Sequence, residues 1–496
     1  MDQNSLTNSL PKPNGDSLTR SAQLFHAECE NTLISSTSVN LIQTPETIEV
    51  SRERWFVLAA FALFGMSIAL SDVTSPILNL FLKLLDLDIK QYLYLQPLFY
   101  YVMMALAFPT AIFVDKYGIK RAMRVSAALF VLHGFTRSML FFPNFPYHET
   151  YRIPCYIVSS IIGVEMMTMF FLLPLKVSET WFSTSERSVA WAFMSSQTHV
   201  GSCIASFLYP RIIKRVQDFE ILAYINMVCT LLTALSSTLL VTKSEPEHPP
   251  NERVSKANQE TPKSFRISLI LMITHRDIVV HLVHLALFES VSLSFNIVML
   301  DILVSIGYQE IFVGNLMSAN LLITIVMQVV LAILVHGQKN PTLVCKLSSN
   351  IQGLLYVIHL LTVITQQSSW LLILTSITLT LCRCWVTPNL TNMTAHLACG
   401  TVSQATVVGF SMFLTVSIMT IINLTFTRLI VIVGDAHDYS HSLTFLCIIT
   451  LLNELFYLTC FYGQQRSSSD VGVEEGRGEQ ADGDNLDIAV DPHPTV

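Results

Sequence analysis

Twelve apolar runs recur along this 496-residue chain, and they constrain its fold more than any other feature. A bilayer core about 30 Å thick is crossed by roughly 20 apolar residues in a helix. On that ruler the runs at 55–82, 92–115, 121–142, 152–179, 187–209 and 220–242 make a first set. Those at 278–305, 311–336, 342–365, 369–394, 402–432 and 441–463 make a second. Several exceed the minimum, so tilted or curved helices are expected. Composition agrees, with 51% hydrophobic and 13% charged residues against roughly 25% charged in soluble domains. The expected fold is an all-α integral membrane protein of 12 transmembrane helices in two six-helix bundles.

The polar stretch from Lys243 to Arg276, with Pro246, Pro249, Pro250 and Pro262, separates the two sets. The chain therefore divides into an N-terminal tail at 1–53, a first bundle at 54–242, a linker at 243–277, a second bundle at 278–463 and a tail at 464–496. The first tail is rich in Ser, Thr and Asn without an apolar core before a cleavage site, so no removable signal peptide is expected. The last tail is acidic, with Asp470, Glu474, Glu475, Glu479, Asp482, Asp484, Asp487 and Asp491. Neither has the apolar content to bury a core, and both are expected to be disordered. Arg52, Arg54, Lys116, Lys120, Arg121, Arg124 and the linker bases outnumber Lys83, Lys90, Arg137, Arg152 and the Arg211–Arg215 cluster on the other side. That bias places both termini in the cytoplasm. A plasma membrane and an organelle membrane fit equally well. The sequons at Asn389, Asn392 and Asn423 fall inside spans, so no N-glycan is expected. The cysteines are scattered, and Cys382 with Cys384 has neither zinc nor redox spacing.

Asp72, Glu165, Glu289 and Arg383 stand within spans one, four, seven and ten. An unpaired charge there is expensive, which marks such residues as candidates for substrate binding or proton exchange. In two inverted-repeat halves those four helices surround a central cavity. For the two glutamates the structural alternative is an ion pair with Arg383 that holds the halves together. For Asp72 it is an ordinary place at the cavity mouth. Gln197 and His199 in span five are further candidates for the lining. His281 and His284 fit hydrogen-bonded packing, Arg428 can snorkel, and Glu454 lies on a usually peripheral helix. Asn79, Asn296, Asn315 and Asn320 suit interhelical hydrogen bonds. Three acids and one base make a site that favours a cation or carries protons.

Between spans two and three the chain reads Asp115-Lys-Tyr-Gly118-Ile-Lys120-Arg121. An aspartate at a helix C-terminus opposes the helix dipole and needs a partner elsewhere. This resembles the signature loop of the major facilitator superfamily, in which such an aspartate helps latch the two halves. The matching loop, His336-Gly-Gln-Lys339-Asn-Pro341, lacks the acid. Between spans four and five stands Trp181-Phe182-Ser183-Thr-Ser-Glu186-Arg187, where Ser183-x-x-Glu186 has capping-box spacing. Thr401-x-x-Gln404 has the same spacing before span eleven. The Trp-Phe-x-x-x-Glu-Arg string, the aspartate loop, the Arg54-Trp55 entry and Ser75-Pro76-Ile77-Leu78-Asn79 resemble the feline leukaemia virus subgroup C receptor-related family, solute carrier family 49. The disrupted-in-renal-carcinoma protein belongs to it. The resemblance covers the first six spans well and the second half weakly.

That resemblance implies a carrier moving a small solute by alternating access, with Asp115, Gly118, Arg121, Glu186 and Arg187 in the gating latch. It implies choline, ethanolamine, haem or a vitamin B6 form as substrate. The family's span-one tryptophan aligns with Ser71 and its span-five glutamine with His199, while Thr387-Pro-Asn389-Leu-Thr-Asn392 replaces acids near the end of span ten. Loss of an aromatic face weakens a quaternary ammonium assignment unless Tyr100, Tyr101 or Trp385 supplies one. The expected partners are a small organic cation or amine and the lipid bilayer, with no cofactor, metal or nucleic acid, and a monomer as the unit. A transport-inactive receptor is the competing class. No nucleotide-binding glycine loop or catalytic cluster supports an ATP-driven pump or an enzyme.

Overall fold

The computed structural model describes residues 51–72, 74–142, 148–183, 186–247, 269–270, 273–274, 276–335, 341–366, 368–397, 404–433 and 436–478. Most of the linker, the N-terminal tail before residue 51, the loop at 336–340, Thr401 and the tail beyond 478 lie outside them, as do the side chains of Trp385, Asn389 and Asn392.

Every predicted span carries a helix. The first is broken: α1 runs Glu53–Asp72, a 3-10 turn follows at Ser75–Ile77, and α2 runs Leu78–Leu85. Pro76 supplies the reason, since proline offers no N–H to an α-helical ladder. Spans two and three together form α3, Ile89–Phe141, bent at Gly118, where φ is 74° and ψ 174°. Such a backbone is open to glycine at little cost. Ser244 of the linker closes on the bend, its hydroxyl accepting the Lys120 N–H at 3.3 Å.

The remaining helices are α4 (His148–Trp181), α5 (Arg187–Ile212), α6 (Phe219–Leu239), α7 (Arg276–Ser305), α8 (Glu310–Val335), α9 (Pro341–Ile364), α10 (Ser369–Leu397), α11 (Gln404–Leu429) and α12 (Ser440–Gly478). Among the described residues nine helical stretches are long and apolar enough to cross a membrane, with α3 counted once. Two features depart from the sequence reading. Helix α12 continues past the predicted end at 463, and a short antiparallel hairpin, β1 (Val431–Val433) with β2 (Ala436–Asp438), joins α11 to α12.

Helices α1–α6 pack together, as do α7–α12, and the halves meet where α5 lies along α8 and α3 along α11. In both contacts the second span of one half faces the fifth of the other, the pairing of a pseudo-two-fold assembly. Glycine lets the backbones approach: a Cβ on Gly314 of α8 would stand 2.8 Å from the Ser206 carbonyl of α5, and one on Gly409 of α11 would stand 3.2 Å from Ala111 of α3. Close approach of this kind is what holds helices together where lipid removes the hydrophobic drive.

Two apolar clusters fill the molecule. One lies within the first half, around Phe61, Phe64, Phe130 and Phe170. The other, at the end of the bundle opposite the termini, joins both halves through Phe81, Leu300, Leu303, Leu316 and Ile430. The cross-half polar contacts gather there too, with Arg211 donating to Asn315 at 2.7 Å and Asn79 donating to Glu310 at 3.2 Å. At the opposite face the ion pairs among the described residues join residues of the first half to one another and to Lys243 of the linker, and α3 meets α11 with Phe108 5.2 Å from Phe413.

Candidate functional site

The four charges predicted to share a cavity divide into three environments. Arg383 of α10 donates from Nη2 to Glu289 Oε2 of α7 at 2.5 Å and from Nη1 to Ser292 at 3.1 Å. Both ends of the pair belong to the second half. It therefore ties α7 to α10 and does not bridge the halves, which corrects that structural alternative. The pair is partly solvated, with the arginine side chain 35% and the glutamate 17% exposed. His199 of α5 faces it from the first half, near enough for electrostatic interaction with Arg383, and Tyr356 of α9 interacts with both members.

Asp72 is elsewhere. It ends α1, and its nearest cation is Arg137 of α3 at 3.6 Å. Arg137 is only 2% exposed, not at a loop face where the orientation reading had placed it. Its guanidinium lies over Phe81, Phe141 and Tyr156, with ring centroids at 5.2, 5.4 and 5.4 Å. Cation–π contact compensates a desolvated arginine that one distant carboxylate cannot satisfy. Asp72 thus faces a cation of its own half.

Glu165 of α4 occupies the third environment. One oxygen accepts the Thr110 hydroxyl of α3 at 2.8 Å, and the other is buried without a hydrogen-bond partner. No Lys, Arg or His pairs with it among the described residues. A carboxylate oxygen left bare costs free energy in the low-dielectric interior until a proton or a cation reaches it. Gln197 turns its amide onto its own helix, donating to the Phe193 carbonyl at 2.9 Å and to Ser196 at 3.3 Å. Ser71 is buried in α1. Tyr100 accepts from Asn423 of α11 across the halves at 3.1 Å, and Tyr101 is exposed.

The charged latch candidates have partners in the first half. Lys176 Nζ lies 3.2 Å from Asp115 Oδ1, Arg187 lies 3.8 Å from Glu179, and Arg54 donates to Glu186 at 2.6 Å. Arg121 is exposed beside the Tyr117 ring. The capping box expected at Ser183 is replaced: Glu186 itself is the N-cap of α5 without a side-chain cap bond, and its carboxylate takes Arg54 and the Ser183 hydroxyl instead. A capping box joins Asp88 and Gln91 at the start of α3.

Among the residues not singled out, Asn79, Asn315 and Asn320 bond between helices. His281 and His284 pack on Tyr457 of α12. Sequence reasoning missed Arg137, although it carries the same signal as the others, a charge inside an apolar run. Its place near a span end concealed it. It also missed Thr110 and Ser292, because hydroxyls in membrane helices are too common to mark a site.

A family model described as Major Facilitator Superfamily matches residues 55–424. The chain belongs to the major facilitator superfamily. The superfamily is one of membrane transporters. The choline/ethanolamine transporter FLVCR2 of Rattus norvegicus is 23% identical over 243 residues, 47% of this chain and 43% of that protein. The Homo sapiens protein of the same name is 23% identical over 217 residues, 42% of this chain and 40% of that protein. The choline/ethanolamine transporter flvcr2b of Danio rerio is 23% identical over 249 residues. The matches thus span about half the length of these curated relatives or less. A solved D-xylose-proton symporter superposes with a TM-score of 0.59 at 13% identity, covering 82% of this chain and 96% of its own. The human organic anion transporter MFSD10 (TETRAN) gives 0.54 at 13% identity, covering 84% of this chain and 100% of its own. These two likenesses establish the fold alone.

Proposed function

We propose that this carrier moves a small organic cation or amine of the choline and ethanolamine class by alternating rocking of its two halves. The bare oxygen of Glu165 carries the reading. Arg383 neutralises Glu289 and Arg137 faces Asp72, so Glu165 is the acid of the predicted set with no compensating cation. An ammonium group, or an amine sharing a proton with the carboxylate, fits that deficit. The names of the relatives agree in substrate class. In this reading His199 and the Arg383–Glu289 pair take a polar group at the other end of the solute. Asp115, Gly118, Arg121, Glu186 and Arg187 belong in this reading to the cytoplasmic gate, with both termini on that side.

The test is thermal stability of the purified protein in detergent against choline, ethanolamine and pyridoxine, because a ligand that binds only the folded state raises the melting temperature. At about 100 times its dissociation constant a ligand adds about 2.7 kcal/mol of apparent stability. A shift with choline or ethanolamine that disappears in Glu165→Gln is expected. A shift that persists in the variant removes Glu165 from the site, and none with any amine in the wild type rejects the substrate class.

A further inference from the structure

The hairpin between α11 and α12 brings a histidine to the seam between the halves, at the face opposite the termini. Nε2 of His437 lies 3.5 Å from Asp88 Oδ1, at the start of α3 in the first half. Its Nδ1 lies 3.6 Å from Asp301 Oδ2, near the end of α7 in the second. The ring is partly exposed, and Asp88 is more so. Asp301 also accepts the Tyr439 hydroxyl. Burial and the Asp301 carboxylate push that hydroxyl far above its usual range, so it remains a donor. On the histidine's own segment Asp438 is occupied by the N–H of Ser440, at 2.9 Å, and by its hydroxyl, at 2.6 Å, with His441 beyond. Among the described residues no Lys or Arg pairs with Asp88 or Asp301.

A neutral imidazole donates from one nitrogen and serves one carboxylate, whereas an imidazolium donates from both. We propose that His437 is a proton-operated clasp across the two halves. Charged, it bridges Asp88 and Asp301 and holds this face shut. Neutral, it keeps one of them and lets the halves part. Acid on this side therefore favours closure and alkali favours opening. Histidine is suited to the role because its charge changes between about pH 5 and pH 8. The clasp is independent of which solute the carrier moves, because none of its three residues belongs to the central site.

The experiment needs no substrate. Spin labels at Lys83→Cys in the first half and Gln309→Cys in the second, both exposed at this face, report the separation of the halves in reconstituted protein freed of reactive native cysteines. With His437 intact, the ratio of short to long distances is expected to fall between about pH 5 and about pH 8. His437→Gln should give one distribution at both values. His437→Arg, permanently charged, should stay short at both and shows that the label pair and the fold survive substitution. A distribution that does not move with pH when His437 is intact, or one that moves equally in His437→Gln, overturns the clasp.

Discussion

At the scale of single residues, a charge inside an apolar run was visible in the sequence, but its compensation was not. Glu165, Glu289, Asp72 and Arg383 are alike on paper. In the folded chain Glu289 has a guanidinium at 2.5 Å, Asp72 has one at 3.6 Å, and Glu165 has a hydroxyl. Which of them a solute can use depends on side chains more than 90 positions away in sequence, such as Arg383 from Glu289, and no local pattern reports that. The pairing makes a prediction. Arg383→Ala should destabilise the carrier by about 2 kcal/mol, below the range for a fully buried pair because Arg383 is partly solvated, by leaving Glu289 uncompensated. The double variant Arg383→Ala with Glu289→Gln should recover much of the loss. Melting temperatures of the singles and the double decide it, and a purely additive loss removes the coupling.

At the scale of elements, helix existence follows from the apolar runs, and two boundaries follow from particular residues: Gly118 bends α3 and Pro76 breaks span one. The hairpin after α11 was not legible, since Val431, Ile432 and Val433 read as the continuation of an apolar helix. Short apolar strings fit either helix or strand until a turn and a partner decide. Gly201 of α5 shows the same limit within a helix. Alanine normally improves a helix interior by roughly 0.5–1 kcal/mol over glycine. Here a Cβ would stand 2.3 Å from the Met66 carbonyl of α1 and 2.8 Å from Ala69. Backbone cannot yield as a side-chain tip does, so Gly201→Ala is expected to lower stability by about 1–3 kcal/mol, the usual cost of overpacking. A raised melting temperature would contradict the α1–α5 contact.

At the scale of the whole molecule, the closed face opposite the termini rests on contacts between halves. Cys203 Sγ of α5 lies 3.2 Å from Ser318 Oγ of α8. Ser318→Cys should therefore form a disulfide with Cys203 under mild oxidation and raise the melting temperature, by the equivalent of about 2–4 kcal/mol, reversibly with reductant. In reconstituted vesicles the cross-link should also stop exchange of any solute that the wild type carries. Failure of the cross-link to form would place α5 and α8 further apart than described.

Hydropathy and the polar stretch after Lys243 were enough to determine a membrane-embedded helical protein with two sets of spans, because a bilayer sets the length and content of any helix that crosses it. The aspartate loop pointed to the superfamily that the family model over residues 55–424 shows. Only the tertiary structure decided that Arg383 pairs within one half, that Arg137 is buried among aromatic rings, that Glu165 keeps a bare oxygen, and that His437 stands between two carboxylates from different halves. Those outcomes depend on how helices rotate and cross one another, and pairing energies depend on the few ångströms that such packing sets.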